Sequence, residues 1–326
     1  MSHHRHSGRS PSSSLALLGL GLGTILSLTP WATPALALGL GSLLALTLGN
    51  PLAALTARWA KRLLQVAVVG LGFGMSLGAV VAAGRSGVGY TMAGIGLALT
   101  LGLLFGRWLR IERQISFLIT AGTSICGGSA IAAVGPAIGA RSEAMSVALG
   151  TVFILNGVAL YLFPPIGHLL HLGQHQFAVW AAVAIHDTSS VVGAAASYGA
   201  VALHEATVLK LARALWIVPL TLLAALVTRR RRGGDGASPR VTFPWFIPLF
   251  VAAAAVRSLM PPLALPVLDG MARVSRALLV LTLFLIGTGL SRSTLRAVGV
   301  RPLAQGVLLW VAVSGITLLA VWQGLE

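Results

Sequence analysis

Residues 115–139 read ISFLITAGTSICGGSAIAAVGPAIG, twenty-five residues without a formal charge and long enough to enter or cross a bilayer. The centre of the run, Thr120-Ala-Gly-Thr-Ser-Ile-Cys-Gly-Gly-Ser129, gathers hydroxyls, a thiol and three glycines where a spanning helix needs none. Glycine lets a helix unwind, and in hydrocarbon the freed backbone groups must line a cavity or bind something. The N-terminal end of the helix that resumes after the break suits an anion through its N–H donors and its dipole. Close packing of helices by small residues is the plain alternative. Packing does not require Thr123, Ser124, Cys126 and Ser129 together, so these four, with Gly127 and Gly128, are taken as candidate substrate-binding residues.

The rest of the chain has the same character. It has 326 residues, of which 56% are hydrophobic and 9% charged, with 39 glycines. A typical soluble domain is about 25% charged, so this chain could not clothe a soluble globule and reads as an all-α polytopic membrane protein. Apolar runs at about 15–29, 35–49, 63–83, 88–106, 115–139, 144–163, 176–199, 206–227, 244–260, 275–291 and 302–323 predict about eleven transmembrane helices. Residues 1–14, MSHHRHSGRSPSSS, read as a disordered polar tail, and 15–34 as an extra N-terminal transmembrane helix. A signal peptide cut at Ala35-Leu36-Ala37 would leave the second run too short to span, so the first run is kept as a helix.

The net charge of +16 comes from 23 basic residues, 21 of them arginines, mostly in short loops. That is the pattern of the positive-inside rule and not of nucleic-acid binding. With the N-terminus in the cytoplasm and eleven crossings, 16 basic residues fall inside and seven outside: Arg85, Arg141, Lys210, Arg213, Arg257, Arg273 and Arg276. The expected orientation is therefore N-terminus in, C-terminus out, with RRRRGGDGASPR in a cytoplasmic Arg-rich loop at 228–243. The single cysteine, Cys126, excludes an internal disulfide and any multi-cysteine metal cage.

Ten of the runs divide into five-helix sets, 35–163 and 176–323. An odd number of spans per repeat inverts the second copy, an architecture common among secondary transporters. The fourth run of each set carries glycines, Gly127-Gly128 in one and Gly287-Thr288-Gly289 in the other, so the two clusters are expected to share a site. A second chemistry-bearing segment is Ala184-Ile-His-Asp-Thr-Ser-Ser-Val-Val-Gly193. His186 and Asp187 are intramembrane ionisable residues, costly and therefore functional candidates, with Thr188 and Ser189 beside them. The alternative is a helix break satisfied by its neighbours. Lys210 and Arg213, three residues apart on one helix face, either snorkel to the outer interface or attract anions to an outer vestibule. Gly74-Met-Ser-Leu-Gly78 matches G-x-S-x-G, but without a strand–turn–helix context, and Gly70, Gly74 and Gly78 sit at packing-face spacing. No H-E-x-x-H and no P-loop is present, so the chain is read as no enzyme, with no cofactor and no metal.

The segments GTSICGGSAIAA (122–133), AIHDTSSVVGAA (184–195), VLKLARALWIVPL (208–220), PWFI (244–247) and LTLFLIGTGLSRSTLRAVGVRP (281–302) resemble the YeiH-type sulfate exporter family of bacterial inner-membrane proteins. The resemblance covers roughly residues 35–323. It implies the inverted five-plus-five fold of the bile-acid:sodium symporter superfamily, with two crossing discontinuous helices, and sulfate as substrate.

Residues and resemblance together predict a secondary transporter moving a small inorganic or organic anion, sulfate or a related sulfur oxyanion or sulfonate, by alternating access. The anion is expected near the bilayer midplane between the Gly122–Ser129 and Gly287–Gly289 breaks. His186 and Asp187 are expected to couple its movement to a proton or a sodium ion, while Lys210 and Arg213 concentrate anions. The lipid bilayer is the other partner, and a homo-oligomer is compatible with the reading. A sodium-coupled organic-anion symporter on the same fold and a non-transporting scaffold or sensor are the rivals, with an intramembrane protease using Ser76 behind them.

Overall fold

The computed structural model describes residues 11–29, 31–231, 245–289 and 298–324, and among these every regular element is helical. The order is α1 (Pro11–Ser27), α2 (Pro34–Thr47), α3 (Ala53–Gly72), α4 (Leu77–Trp108), α5 (Arg113–Ser124), α6 (Gly128–Ala137), α7 (Ser142–Leu169), α8 (Gln174–Ala184) and α9 (Thr188–Tyr198). It continues with α10 (Ala200–Ala214), α11 (Ile217–Arg231), α12 (Phe246–Leu259), a 3-10 turn at Pro262–Ala264, α13 (Leu265–Gly287) and α14 (Val300–Trp322). Helix α1 starts at Pro11, so residues 11–14 belong to it and not to the tail, whose remainder lies outside the described residues. Most of the Arg-rich loop at 228–243 lies outside them as well, although α11 runs on to Arg231.

Among the described residues, five helices are long and apolar enough to cross a membrane, and a sixth span arises if α3 and the first part of α4, bent by 109°, are taken together. Two of the eleven apolar runs do not cross. Helices α5 and α6 are joined by Ile125-Cys126-Gly127, and the far ends of the pair come back together. Gln114 Nε2 donates to the Gly139 carbonyl (3.3 Å), the Arg141 amide donates to Gln114 Oε1 (3.2 Å), and Arg141 pairs with Glu112 at 2.6 Å. A straight run from 112 to 141 would separate those ends by about 40 Å. The pair is a re-entrant hairpin. Helices α8 and α9 repeat the arrangement around Ile185-His186-Asp187. Gln174 Oε1 accepts from the amides of Val201 and Ala202, Tyr198 donates to the Leu172 carbonyl, and His175 Nδ1 lies 2.6 Å from Glu205 Oε2.

The runs 115–139 and 176–199 are therefore hairpins and not spans, and the two crossing discontinuous helices implied by the resemblance are replaced by two hairpins. Helix α13 ends at Gly287, where the sequence placed the second break, and residues 290–297 lie outside the described residues. A Cβ on Gly287 would lie 2.4 Å from the Leu38 carbonyl of α2. Gly287 and Thr288 pack on Gly41 of α2, and Thr288 accepts hydrogen bonds from Asn50. Hydropathy cannot separate a crossing from a hairpin, because both need the same number of apolar residues.

Helix α7 fixes the geometry of the hairpins. Its 28 residues, about 42 Å at the usual helical rise, run from the base of the first hairpin to the base of the second. The hairpins therefore enter from opposite faces. One face carries Arg58, Lys61, Arg62, Arg107, Arg110, Arg113, Arg141 and Arg301 at or near helix ends; Arg85, Arg257, Arg273 and Arg276 lie toward the other. Arg141, an outside exception in the eleven-span count, joins the basic face once its segment turns back.

Packing sorts the helices into two groups. Helices α1, α2, α3, α12 and α13 form one, with Phe284 against Leu20 and Ala37 at its heart. The hairpins, α7, α10, α11, α14 and the long α4 form the other, centred on a cluster of Phe163, Phe177, Trp180 and Trp310. Each group draws on both halves of the sequence. Helix α9 meets α2 and α13 at the join, where a Cβ on Gly193 would lie 3.0 Å from Leu283.

The hairpin topology predicts labelling. In a Cys126→Ala background, single cysteines at Glu112 and Arg141 should react with a membrane-impermeant maleimide from the same side of oriented vesicles, and a cysteine at His171 from the opposite side. Opposite-side labelling of 112 and 141 would restore the eleven-span arrangement.

Candidate functional site

The two hairpin tips meet. A Cβ placed on Gly127 would lie 3.2 Å from the Cβ of Asp187 and 3.1 Å from Val152 of α7. Gly127 has φ +61°, a left-handed conformation that only glycine adopts at low cost, so close approach and backbone both require glycine here. Asn156 of α7 holds the second tip, its Oδ1 accepting from the amides of His186 (3.2 Å) and Asp187 (3.3 Å). Val152 and Asn156 lie near the middle of the 28-residue α7, which puts the tip contact at mid-depth.

Four helix ends converge on it. The carbonyl ends of α5 and α8 are satisfied by two buried cations of α10. Arg213 donates from Nε to the Ser124 carbonyl (2.8 Å), from Nη1 to Val183 (2.6 Å) and from Nη2 to Thr123 (3.3 Å). Lys210 Nζ donates to the carbonyls of Ile185 (2.7 Å) and Ala182 (3.2 Å). Both side chains are buried, at 0% and 1% exposure. This corrects the expectation for the pair: Lys210 and Arg213 neither snorkel nor line an outer vestibule, because their donors are taken up by backbone carbonyls inside the bundle. Cations at helix C-termini also meet the negative end of the dipole.

The N-terminal ends of α6 and α9 differ. Asp187 caps α9, its carboxylate accepting from the Ser189 amide (2.6 Å), the Ser189 hydroxyl (2.6 and 2.8 Å) and the Ser190 hydroxyl (3.0 Å). Helix α6 has Gly127 as its cap residue and no side-chain cap, so the amides of Gly128 and Ser129 have no intrahelical acceptor. Several buried polar atoms around the breaks also lack a partner: Thr123 Oγ1, Asn156 Nδ2 and both ring nitrogens of His186. Buried polar atoms are almost always hydrogen-bonded, so unpartnered ones in one region mark a place for a polar ligand or water.

Of the sequence-predicted residues, Thr123, Ser124, Cys126, Gly127, His186, Asp187 and Ser189 are gathered at or beside the tips. Ser124 spends its hydroxyl on the Thr120 carbonyl (2.7 Å). Thr188 is half-buried, Gly128 packs on Phe153 and Leu149, and Ser129 is exposed and turned away. Gly287 and Thr288 belong to the α2–α13 contact described above, and Gly289 follows the end of α13. Asn156, a lone asparagine amid the apolar run 144–163, joins the tip residues by holding the second tip.

A separate cavity of about 590 Å³ opens at the base of the second hairpin, lined by Ser76, His175, His204 and Glu205 among others. Ser76, the serine of the G-x-S-x-G match, caps α4 by accepting from the Ala79 amide (3.2 Å).

Removing Arg213 should be more damaging than removing a surface arginine. Arg213→Ala strands the carbonyls of Thr123, Ser124 and Val183 and is expected to cost about 3 kcal/mol or more. Thermal denaturation in detergent measures this, and Arg213→Lys should recover part of the loss.

The chain matches the family described as "conserved hypothetical protein 698" over residues 13–306. It is 49% identical to a UPF0324 membrane protein of Bdellovibrio bacteriovorus, over 98% of both chains. A UPF0324 membrane protein of Geobacter sulfurreducens is 48% identical over 90% of this chain and 92% of its own. One from Bacteroides thetaiotaomicron is 46% identical over 90% and 87%. No solved structure matches the chain. Its apolar helices and these relatives make it a multi-pass membrane protein, and it belongs to the conserved hypothetical protein 698 family, the YeiH-type UPF0324 membrane proteins.

Proposed function

We propose that the protein is a secondary active transporter of a small anion, sulfate or a related sulfur oxyanion or sulfonate, working by alternating access. The observation that carries this reading is the meeting of two oppositely inserted hairpins at mid-depth, beside buried unpartnered polar atoms of Thr123, Asn156 and His186. Broken helices at the midplane of a membrane protein are a recurrent way to build a transported-ligand site, because free helix ends bind charge and can be uncovered from either side. The uncapped N-terminus of α6 and the Asn156 amide are donors for oxygen atoms of an anion. In this reading the basic face is cytoplasmic, the membrane is the bacterial inner membrane, and His186 with Asp187 forms the coupling element. Capping by Ser76 favours a structural role for the G-x-S-x-G match, and the protein is read as no enzyme.

A second reading, a sodium-coupled organic-anion symporter on the same fold, is favoured by the oxygen cluster of Asp187, Ser189 and Ser190, ligands of the kind a hard cation takes.

The test is thermal stabilisation of the purified protein against a panel of anions, at two pH values and with or without sodium. A ligand that binds the folded state alone raises the apparent stability. Sulfate or a sulfonate should raise the midpoint selectively, and Thr123→Ala and His186→Ala should lose the shift. A shift that needs sodium selects the symporter, and no shift with any anion favours a non-transporting scaffold or sensor.

A further inference from the structure

We infer that the cavity at the base of the second hairpin is the path by which small anions reach the hairpin tips from the face opposite the basic one, with Met75 and Leu209 closing its inner end. The inference deepens the transport reading and rests on it.

One wall of the cavity is α10, whose lining residues Val201, His204, Glu205 and Leu209 follow one another along a single helix face. Val201 stands at the base of the second hairpin, where its amide donates to Gln174, and Leu209 lies about 12 Å further in at the usual rise. The next residue, Lys210, donates to the Ile185 carbonyl at the second tip. The cavity thus covers most of the depth between that face and the tips. The opposite wall is the corner between α3 and α4, with Gly74, Met75 and Ser76. Helix α3 belongs to one group of helices and α10 to the other, so the cavity lies on the seam between them. A Cβ on Gly74 would lie 3.3 Å from Ala272 of α13 and 3.7 Å from His204 Nε2, touching both groups at once. Alternating access moves one bundle against another, and a seam is where such movement opens a path.

Apolar packing closes the inner end. Met75 and Leu209 are buried, at 5% and 6% exposure, whereas Ser76 and Val201 at the mouth are exposed. Met75 shares an apolar cluster with Ile125 and Cys126 of the first tip, and Leu209 shares one with Ile185 of the second. These two side chains form the floor between the cavity and the tip contact. Neither carries a strong hydrogen-bonding group, so moving them aside strands no polar atom.

Charge gives the sign of the ligand. Arg257 reaches the corner, donating to the Phe73 carbonyl (2.8 Å), and is paired with Asp269 (2.7 Å). Arg276 and Arg257 both act electrostatically on His204, and among the described residues Arg276 has no carboxylate partner. Glu205, the carboxylate that lines the cavity, is held by His175 Nδ1 at 2.6 Å. In the transport reading this face is the outer one, and arginine there runs against the positive-inside tendency. A cleft with one sign of charge at its mouth raises the local concentration of ions of the other sign. The vestibule that the sequence assigned to Lys210 and Arg213 is here built from other residues.

The test is thiol accessibility in oriented vesicles of the full-length protein, with Val201→Cys, Met75→Cys or Leu209→Cys in a Cys126→Ala background. The probes are two membrane-impermeant methanethiosulfonates, one bearing a sulfonate and one a trimethylammonium group, each rate divided by that for a free thiol. All three cysteines should react from the face opposite the basic one and not from the basic face. At position 209 the sulfonate reagent should be about tenfold faster than the cationic one, and Arg276→Gln should remove most of that preference. Reaction at 201 but at neither 75 nor 209 makes the cavity a blind pocket and overturns the inference. Reaction at 209 from the basic face, or faster reaction with the cationic reagent, overturns it as well. Labelling needs no bound anion, so a wrong pattern sinks the path alone, whereas a lack of any anion-dependent stabilisation sinks the transport reading on which the path rests.

Discussion

Two cations in the interior hold this architecture together. A helix that stops inside a membrane leaves carbonyls that no water can satisfy, and α5 and α8 both stop there. Lys210 and Arg213, one turn apart on α10, meet both carbonyl ends at once. Arg213 touches the first hairpin through Thr123 and Ser124 and the second through Val183, so a single guanidinium ties two separately inserted parts of the chain. A fork of fixed donors suits that bridging better than a single ammonium. Without such donors the breaks would be excluded by cost, and the sequence would favour two uninterrupted helices.

Much of this was legible in the residues. The shortage of charge established a membrane protein, the apolar runs located nearly all the helices, and the glycines and hydroxyls of 120–129 marked the first break. The second break was legible as a place of chemistry, since His186 and Asp187 do not belong in an uninterrupted apolar helix, but not as the partner of the first. What was missed is the direction of the chain after each break. A run of twenty-five apolar residues satisfies a crossing and a hairpin equally, and the deciding contacts, Glu112 with Arg141 and Gln174 with Val201, join residues about thirty positions apart. One signal was present: Arg141 on the wrong side of the charge count, which the hairpin resolves. Lys210 and Arg213 were also exceptions, and for them the answer was burial, which a charge count cannot anticipate.

The glycines show why residue type alone misleads. Gly127 and Gly287 were paired by their places in the sequence, and both lie where backbones nearly touch. At Gly127 the neighbour is the tip of the other hairpin and the backbone is left-handed, so the glycine ends one helix and opens the next. At Gly287 the neighbour is Gly41 of α2, and the glycine serves a tight seam within the supporting group. Only the neighbour distinguishes the two uses.

The hairpins divide the thickness of the bilayer between them. The arms α5 and α8, with 12 and 11 residues, add to about 35 Å at the usual rise, a little more than the roughly 30 Å of a hydrocarbon core. Each is anchored at its own face, and they meet only at the tips. A helix that crosses adjusts to lipid of another thickness by tilting, with little effect at its centre. Two half-length arms resting on opposite leaflets concentrate the same mismatch on their single point of contact, which makes the acyl-chain length of the surrounding lipid a variable that acts directly on Gly127 and Asp187.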